Sequence, residues 1–332
     1  MHTETGSIVV LGDIMMDILI KPQGEIRPAS DTESIIRLAL GGQGANVAVN
    51  LAGHGLPVRL LARTGDDTLG ELARAALERA GVDLPGEPLA GERTGALGAL
   101  IDPQGQRTMF PQMGANARLD EAFVRRHWPA ALSLLFVSAY ALLRPETRPA
   151  ARWAMQTAHR MGVPVAVDPS SYALIEDVGV PAVLEWMIAA DIVLPNRDEG
   201  RVLAGTGDPE AMLERLAQRF AFVVLKLDKD GAMARAGKET CHVPAEPLEV
   251  VDTTGAGDAF DAGFLAAFLS GARLPQAVAE GVKASARVIQ RLGSTCGGHN
   301  DARGQGWPRV TDIQSHRHHE QETSTATDAP GP

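Results

Sequence analysis

The chain has 332 residues, with 31 Lys and Arg against 41 Asp and Glu, 45% hydrophobic residues and 35 glycines. This length and apolar content predict a globular protein of one or two domains and exclude a fully disordered or fibrous one. The formal net charge of -10 offers no basic surface to nucleic acid or to an anionic membrane, so we expect neither as a partner. Any anionic ligand must therefore be bound by local features of the fold.

The cysteines and the N-terminal segment indicate the compartment. Cys241 and Cys296 are far apart and form no CxxC pair, so neither a disulfide framework nor a cysteine zinc site is expected. The N-terminus lacks a basic stretch followed by a long apolar run, and the longest uncharged apolar run, residues 128–143, contains Pro129. Because neither a signal peptide nor a membrane span is indicated, we expect a cytoplasmic protein.

Short apolar runs alternate along the chain with stretches of helical period. The predicted strands are Ile8–Leu11, Val58–Ala62, Leu132–Ser138, Val163–Val167, Ile192–Leu194 and Phe222–Leu227. The predicted helices are Ala45–His54, Leu69–Ala80, Asp120–His127, Pro145–Met161, Pro181–Ala189, Arg197–Ala204, Pro209–Phe220, Ala256–Leu269 and Pro275–Leu292. Continuous apolar strands between helices predict an α/β fold with a doubly wound, mainly parallel sheet flanked by helices. Ligands of such sheets bind at the carboxyl ends of the strands.

Two segments do not follow this alternation. Residues 14–40 and 94–113 mix polar and apolar positions and contain Gly and Pro turn signals, so we predict that they form a small β-sheet lid. From residue 297 onward the chain is polar and almost free of apolar periodicity. We therefore divide it into a main domain, residues 1–296, and a flexible polar tail, residues 297–332.

Two glycine clusters stand out, although neither the P-loop pattern GxxxxGK[ST] nor the dinucleotide pattern GxGxxG occurs. The first is Gly41–Asn46 and the second is Asp252–Asp258. After the second cluster, Phe260, Phe264 and Phe268 recur every four residues, which predicts one apolar face of a helix. The second cluster therefore lies at the start of that helix.

The start of a helix can bind an anion and hold a base beside it. Gly255, Ala256 and Gly257 have little or no side chain, so an anionic group can approach their N–H donors. We expect the helix dipole to keep Asp258 ionised, so that it accepts a proton from a hydroxyl held nearby. Such a base and anion hole are the minimum for phosphoryl transfer to an alcohol. The alternative is a plain helix cap with a tight turn.

These motifs resemble those of a known enzyme family. Residues Asp252–Phe260 are similar to the C-terminal signature of the ribokinase-like (PfkB-type) carbohydrate kinases, and Gly41–Asn46 to their N-terminal signature. Between them, Pro195–Glu199 resembles the family's Asn-x-x-Glu element, and Gly12–Asp17 resembles the end of its first strand. The order and spacing of these motifs cover about residues 7–296.

The resemblance implies transfer of a phosphoryl group from ATP, with Mg²⁺, to a hydroxymethyl group of a small sugar or sugar acid. It implies that Asp258 is the base and that Gly255, Ala256 and Gly257 form the anion hole. The implied substrate-binding residues are Asp17, Gly42, Asn46 and Tyr140. The implied nucleotide-binding residues are Asn196, Lys226, Asp228, Gly231, Gly257 and Lys283. Glu199 would bind Mg²⁺ through water, and Asp252 and Thr254 would lie near a monovalent cation such as K⁺.

Three positions differ from the family pattern. Gln43 stands where ribokinases usually have lysine, and Tyr140 falls where they carry a substrate-binding glutamate, so ribose itself is not the expected acceptor. Asp228 stands where the family commonly has glycine. Because a carboxylate would repel a nucleotide phosphate, Asp228 must point outward or pair with Lys226 or Lys229.

Alternatives remain open at single residues and for the whole chain. Asp17 can be a turn residue, Asn46 a helix cap and Glu199 an exposed first-turn residue. A nucleoside kinase of the same fold is an alternative, although the lid segments carry one aromatic, Phe110, and a base needs a flat apolar surface. A sugar-sensing protein without turnover is a further alternative, which the presence of Asp258 disfavours. The open edges of a lid make a homodimer plausible.

Overall fold

The computed structural model describes residues 6–102, 107–248 and 253–290. The strands are β1 (Ser7–Leu11), β2 (Met15–Pro22), β3 (Ser34–Gly41), β4 (Val58–Leu61), β5 (Val82–Asp83), β6 (Gly95–Ile101), β7 (Arg107–Gln112), β8 (Leu132–Ser138), β9 (Val165–Asp168), β10 (Ile192–Val193), β11 (Phe222–Lys226), β12 (Ala232–Ala236) and β13 (Glu239–Val243). The helices are α1 (Gln43–Gly53), α2 (Thr68–Arg79), α3 (Glu121–His127), α4 (Tyr140–Leu143), α5 (Arg148–Arg160), α6 (Tyr172–Val178), α7 (Val180–Trp186), α8 (Arg197–Ala204), α9 (Pro209–Leu216), α10 (Ala256–Leu269) and α11 (Leu274–Ile289).

The described residues form one large sheet with the order β13-β12-β11-β10-β9-β8-β1-β4-β5. All neighbouring pairs among the seven strands β11, β10, β9, β8, β1, β4 and β5 are parallel. β12 and β13 add an antiparallel edge next to β11. The mainly parallel, doubly wound sheet predicted from the sequence is confirmed.

Helices cover both faces of this sheet because its central strands are apolar on both faces. In β1, Val9 and Leu11 pack into one core, whereas Ile8 and Val10 pack into the other. Helices α3 to α9 contribute to the first core, and α1, α2, α10 and α11 to the second. The continuous apolar runs in the sequence therefore reflect burial on both sides.

The lid is a separate sheet with the strand order β3-β2-β6-β7, as the sequence predicts. Register places Asp17 of β2 opposite Ala39 and Leu97, and Ile18 opposite Leu38 and Gly98. Because neighbouring residues of a strand point to opposite faces, Asp17 lies on one face of the lid and Ile18 on the other.

Some elements are not predicted by the sequence. β12 and β13 form an antiparallel edge. Most of their side chains are small or polar, so these two strands lack the long apolar run of a central strand. The single helix predicted over Pro145–Met161 begins later, at α5, after the separate short helix α4. The predicted tail, residues 297–332, lies outside the described residues. Among the described residues, no helix has the length and apolar composition needed to cross a membrane.

Candidate active site

The strand order locates a crevice at the centre of the large sheet. β1 and β8 are neighbours, and the chain winds away from them in opposite directions, toward β4 and β5 on one side and toward β9, β10 and β11 on the other. A switch of this kind opens a crevice at the carboxyl ends of the strands. Asp13 follows β1, Tyr140 follows β8, and Asp168 ends β9, so three polar side chains come from this edge.

The predicted base and a predicted substrate-binding residue are in direct contact. The Nδ2 atom of Asn46, in α1, donates a hydrogen bond to Oδ2 of Asp258, in the first turn of α10, over 2.8 Å. Asn46 therefore does not cap its helix, since Gly42 is the N-cap residue of α1. The two glycine-rich signatures, 212 residues apart, thus converge on one carboxylate.

The environment of Asp258 differs from the expectation of an ionised carboxylate held by the helix dipole. Its side chain keeps some solvent access, but burial in the surrounding protein raises its pKa to about 7. The hydrogen bond from Asn46 and the charge of Lys226 lower the pKa, whereas Asp168 and Asp13 raise it further. Burial therefore outweighs the hydrogen bond from Asn46 and the charge of Lys226, and Asp258 lies between its two protonation states near neutral pH.

The turn before α10 differs in one respect from the anion hole that the sequence predicts. Gly255 is the N-cap residue and has a left-handed backbone with φ 72°, which only glycine adopts readily. The N–H of Ala256 donates to the carbonyl of Thr253 over 3.2 Å. Its N–H is thus engaged within the turn, which leaves Gly257 and Asp258, in the first helical turn, as the better-placed donors.

Asp17 and the first glycine pair lie where the lid joins the large sheet. Asp17 is buried within β2 and is therefore a lid residue, not a turn residue. A Cβ atom at Gly41 would lie against the Asp17 carboxylate. Gly42 has φ 88°, and a Cβ there would come within 2.8 Å of the Asp13 carbonyl oxygen and the Met15 nitrogen. Both glycines therefore allow the lid strand to approach the start of α1 closely.

The backbone of Tyr140 is hydrogen-bonded to a linked pair of neutral polar side chains, Ser170 and Gln43. Its N–H donates to the hydroxyl oxygen of Ser170 over 3.2 Å, and that hydroxyl donates to Oε1 of Gln43 over 2.6 Å. Burial raises the pKa of the Tyr140 phenol, and the carboxylates of Asp13 and Asp168, among others, raise it further. Tyr140 therefore stays protonated and can donate a hydrogen bond.

Asn196 and Glu199 form a capping box at the start of α8. The Asn196 side chain accepts from the Glu199 N–H over 2.9 Å, and the Glu199 carboxylate accepts from the Asn196 N–H over 2.9 Å and from its Nδ2 over 2.7 Å. Glu199 is only 2% exposed, so it is not an exposed first-turn residue. Burial and the nearby Asp168 charge raise its pKa to about 8.

This arrangement fits a magnesium ion that arrives with the triphosphate. Both oxygens of Glu199 already accept hydrogen bonds from Asn196, so Glu199 can reach a metal ion through water more readily than directly. No group of three or more His, Cys, Asp or Glu side chains in the described ranges is arranged to hold a metal. Mg²⁺ is commonly held by one or two carboxylates together with substrate phosphates and water.

Lys226 ends β11 and is buried. Its Nζ atom donates to Oδ2 of Asp168 over 2.6 Å and to Oδ1 of Asp261 over 2.9 Å. Burial alone would lower the pKa of Lys226, but the charges of Asp168 and Asp261 more than offset this and raise it. Lys226 therefore remains a cation inside the protein.

The remaining predicted nucleotide residues lie at or near the surface or in tight turns. Asp228 is exposed, with φ 54°, so it points outward in a backbone conformation that explains why glycine is common there. A Cβ at Gly231 would collide with the backbone of β13 and the residues after it. Lys283 donates to Glu280 on the exposed side of α11. Asp252, predicted near a monovalent cation, lies outside the described residues, whereas Thr254 is within them.

Asp168, Asp261 and Ser170 belong to the site but are not among the residues predicted from the sequence. Asp168 directly follows a predicted strand, and Asp261 lies one turn after Asp258 beside the buried Phe260, so both positions carried a signal. Their partner, Lys226, is 58 and 35 residues away in the chain, and no local pattern indicates that distance. Ser170 has φ 71°, which is uncommon for a residue with a side chain.

Comparison with known proteins identifies the family. A family model described as pfkB family carbohydrate kinase matches residues 5–298. The chain belongs to this family. Members of the family are phosphotransferases, and this chain is a sugar kinase of that group.

Relatives within the pfkB family act on different acceptors. The chain is 31% identical over 273 residues to a fructokinase of Klebsiella pneumoniae, covering 79% of this chain and 84% of the relative. It is 34% identical over 255 residues to an ATP-dependent ribose-1-phosphate kinase of Halopiger xanaduensis, covering 73% and 79%. The crystal structure of adenosine kinase from Sinorhizobium meliloti matches with a TM-score of 0.78 at 26% identity, covering 95% and 99%.

Proposed function

We propose that this sugar kinase transfers the terminal phosphoryl group of ATP to a hydroxymethyl group of a small sugar or sugar acid. The observation that carries the proposal is the hydrogen bond between Asn46 and Asp258. It joins a predicted substrate residue to the predicted base at the start of the helix that holds the anion hole. A hydroxyl held by Asn46 thus lies beside both the base and the phosphoryl-binding turn.

The proposed reaction uses Asp258 as the general base. The acceptor hydroxyl loses its proton to the Asp258 carboxylate as its oxygen forms a bond to the γ-phosphorus. The bond from that phosphorus to the β–γ bridging oxygen breaks, and ADP leaves with the electron pair. Backbone N–H groups of Gly257 and Asp258 stabilise the charge on the transferred group. Magnesium, when bound with ATP near Glu199, neutralises triphosphate charge.

The polar set around Tyr140 supports a small sugar or sugar acid as the acceptor. Gln43, Ser170 and Tyr140 offer neutral hydrogen-bonding groups, which suit hydroxyls. Within the described lid strands, Phe110 is the only aromatic residue, and register places it on the same face as Ile18. That face is opposite Asp17, so Phe110 does not offer a base-stacking surface beside the acceptor. This favours a sugar over a nucleoside.

A substrate panel tests the proposal directly. ADP formation is measured with Mg²⁺ and ATP against hexoses, pentoses, sugar phosphates, sugar acids and nucleosides, with K⁺ and with Na⁺ in parallel. We expect turnover with a sugar or sugar acid and stimulation by K⁺. Turnover confined to nucleosides would favour the nucleoside kinase, and binding of a sugar without any turnover would favour the sensing protein.

The lid offers a surface for a second copy of the chain. Ile18, Ile20, Ile36, Leu38 and Phe110 share the face opposite Asp17 by register, and Ile36 and Phe110 are 62% and 61% exposed. The outer strands β3 and β7 also end the sheet within the described residues. Because a two-fold axis pairs one such face with its own copy, we propose that the kinase is a homodimer joined through this lid face.

Introducing a charge on this face is expected to separate the dimer. Light scattering coupled to size-exclusion chromatography should give a dimer for the wild-type protein and a monomer for Ile36→Glu, because a buried carboxylate would oppose association. Ile188, 68% exposed after α7, provides the matched control, since Ile188→Glu should remain dimeric. A wild-type monomer across micromolar concentrations would refute the lid dimer.

A further inference from the structure

Lys226 has an uncommon environment for a structural ion pair. It is the only buried lysine or arginine in the part of the chain that the structure describes, at 9% exposure. Four buried carboxyl groups, Asp13, Asp168, Glu199 and Asp261, lie in the same part of the molecule. One buried oxygen, Oδ2 of Asp261, has no hydrogen-bond partner among the described residues.

The Lys226 ammonium also lies next to the predicted anion hole. A Cβ atom built on Gly257 would be 3.7 Å from Nζ of Lys226, with no larger side chain between them. An ammonium group has three N–H donors. Asp168 and Asp261 accept two of them, and among the described residues no acceptor is found for the third. The ammonium group is therefore held by two carboxyl groups and retains one N–H donor.

We propose that Lys226 is the positively charged donor of the anion hole. Asp168 and Asp261 hold it so that its remaining N–H binds an oxygen of the transferred phosphoryl group. This inference rests on the proposed phosphoryl transfer and adds a positively charged side chain to the site where the transfer takes place. In this arrangement Lys226 is a catalytic residue, and Asp168 and Asp261 are positioning residues. A chain with a net charge of -10 thereby gains a fixed cation where backbone donors alone would act.

The charges around Asp258 give this proposal a distinctive signature. Four groups act on the pKa of Asp258: Asn46 of α1 through a hydrogen bond, and Asp13 after β1, Asp168 of β9 and Lys226 of β11 through their charges. Lys226 lowers the pKa of Asp258 and Asp168 raises it. Removal of one charge or the other must therefore move the titration of Asp258 in opposite directions. The titration of Asp258 therefore reports whether both charges lie close to the base, and kcat reports whether the Lys226 donor is used.

The test compares Lys226→Met, Asp168→Asn and the double variant with the wild-type enzyme. In Lys226→Met we expect kcat to fall about 100-fold, the loss typical of one anion-hole donor, and the acid limb of kcat/KM to move to higher pH. In Asp168→Asn the acid limb should move to lower pH, because a neighbouring negative charge is gone. Lys238→Met, which removes an exposed lysine in the β12–β13 turn, should match the wild type in both measurements.

The double variant covers the case in which Lys226→Met fails to fold. Lys226→Met with Asp168→Asn removes the cation and one of its two carboxylate partners. Burial raises the pKa of the other partner, Asp261, well above its usual value, so this carboxyl can take up a proton, and thermal melting should show a folded protein. Its kcat should remain about 100-fold below that of the wild type, because the donor is missing. A folded double variant with wild-type kcat, or acid limbs that move together in the two single variants, overturns the proposal.

A measurement without turnover separates this inference from the proposed function. Carbon NMR of the protein labelled at aspartate Cγ, with Asp258→Asn used to assign the signal, gives the titration of Asp258 in the free enzyme. Opposite shifts in Lys226→Met and Asp168→Asn, without turnover on any acceptor, would uphold the charge arrangement while the proposed function fails. Unchanged titration in both single variants would overturn the inference even if sugar turnover is found.

Discussion

Replacing Asp258 with asparagine is expected to lower kcat by about 100- to 10,000-fold, the usual contribution of a general base. The amide has nearly the same shape, and its oxygen can still accept the hydrogen bond that Asn46 donates to Asp258. It cannot take a proton from the acceptor hydroxyl. Steady-state assays should therefore show the loss in kcat, while calorimetric titration should show nearly unchanged binding of ATP and sugar.

Stability measurements distinguish the loss of kcat in Asp258→Asn from a loss of folded protein. Because the pKa of Asp258 is about 7 in the folded protein against 3.8 as a reference, the folded state holds the proton more tightly than the unfolded chain. The resulting stabilisation is present below pH 4 and is lost as pH rises through 7. The melting temperature of Asp258→Asn, relative to the wild type, should thus be more favourable at pH 8 than at pH 4.

A matched substitution checks whether removing any carboxylate from the first turn of a helix is enough to lower kcat. Asp198 lies in the first turn of α8, is largely exposed and contacts Arg201 only at 3.9 Å. Asp198→Asn removes a similar helix-dipole interaction and should leave kcat at the wild-type level. Near-normal kcat in Asp258→Asn would exclude Asp258 as the base.

The fold could be predicted because most of its strands carry an uninterrupted signal. β1, β4, β8 and β11 are apolar on both faces, so their limits differ from the predicted ones by one residue at most. β12 and β13 lie at the edge, where antiparallel pairing with β11 tolerates polar residues and small ones such as Ala. These two segments are strands because they pair with β11 and with each other, and not because of their own pattern of apolar residues.

The candidate site could be predicted only in part, for a related reason. Asp258 and Asn46 stand within glycine-rich motifs, and their contact follows once both motifs lie at one edge of the sheet. The ion pairs of Lys226 in β11 connect it to Asp168 in β9 and to Asp261 in α10, which are distant in sequence. They can therefore be recognised only in the three-dimensional structure. The pKa of Asp258 differs from the expectation of an ionised carboxylate because burial, which the sequence does not report, raises it to about 7.

Two substitutions at the lid are expected to weaken acceptor binding without affecting ATP. Asp17→Asn removes the charge that is proposed to bind substrate hydroxyls, and hydrogen bonds to charged groups contribute about 1.5–3 kcal/mol. We therefore expect kcat/KM for the sugar to fall about 10- to 100-fold. The KM for ATP should stay at the wild-type value, because Asp17 lies on the lid strand β2 and not on the strands that carry the nucleotide motifs.

Gly41→Ala tests the same carboxylate without changing it. A Cβ at Gly41 would overlap the Asp17 carboxylate and no backbone atom is among its nearest contacts, so the alanine should displace this one side chain and leave the fold intact. The sugar kcat/KM should fall as in Asp17→Asn, and the double variant should be no worse than either single one, since both act on one group. Gly98→Ala is the control, because a Cβ there makes only ordinary contacts with Phe110 at 3.8 Å and beyond. Unchanged sugar kinetics in both Asp17→Asn and Gly41→Ala would remove Asp17 from the acceptor site.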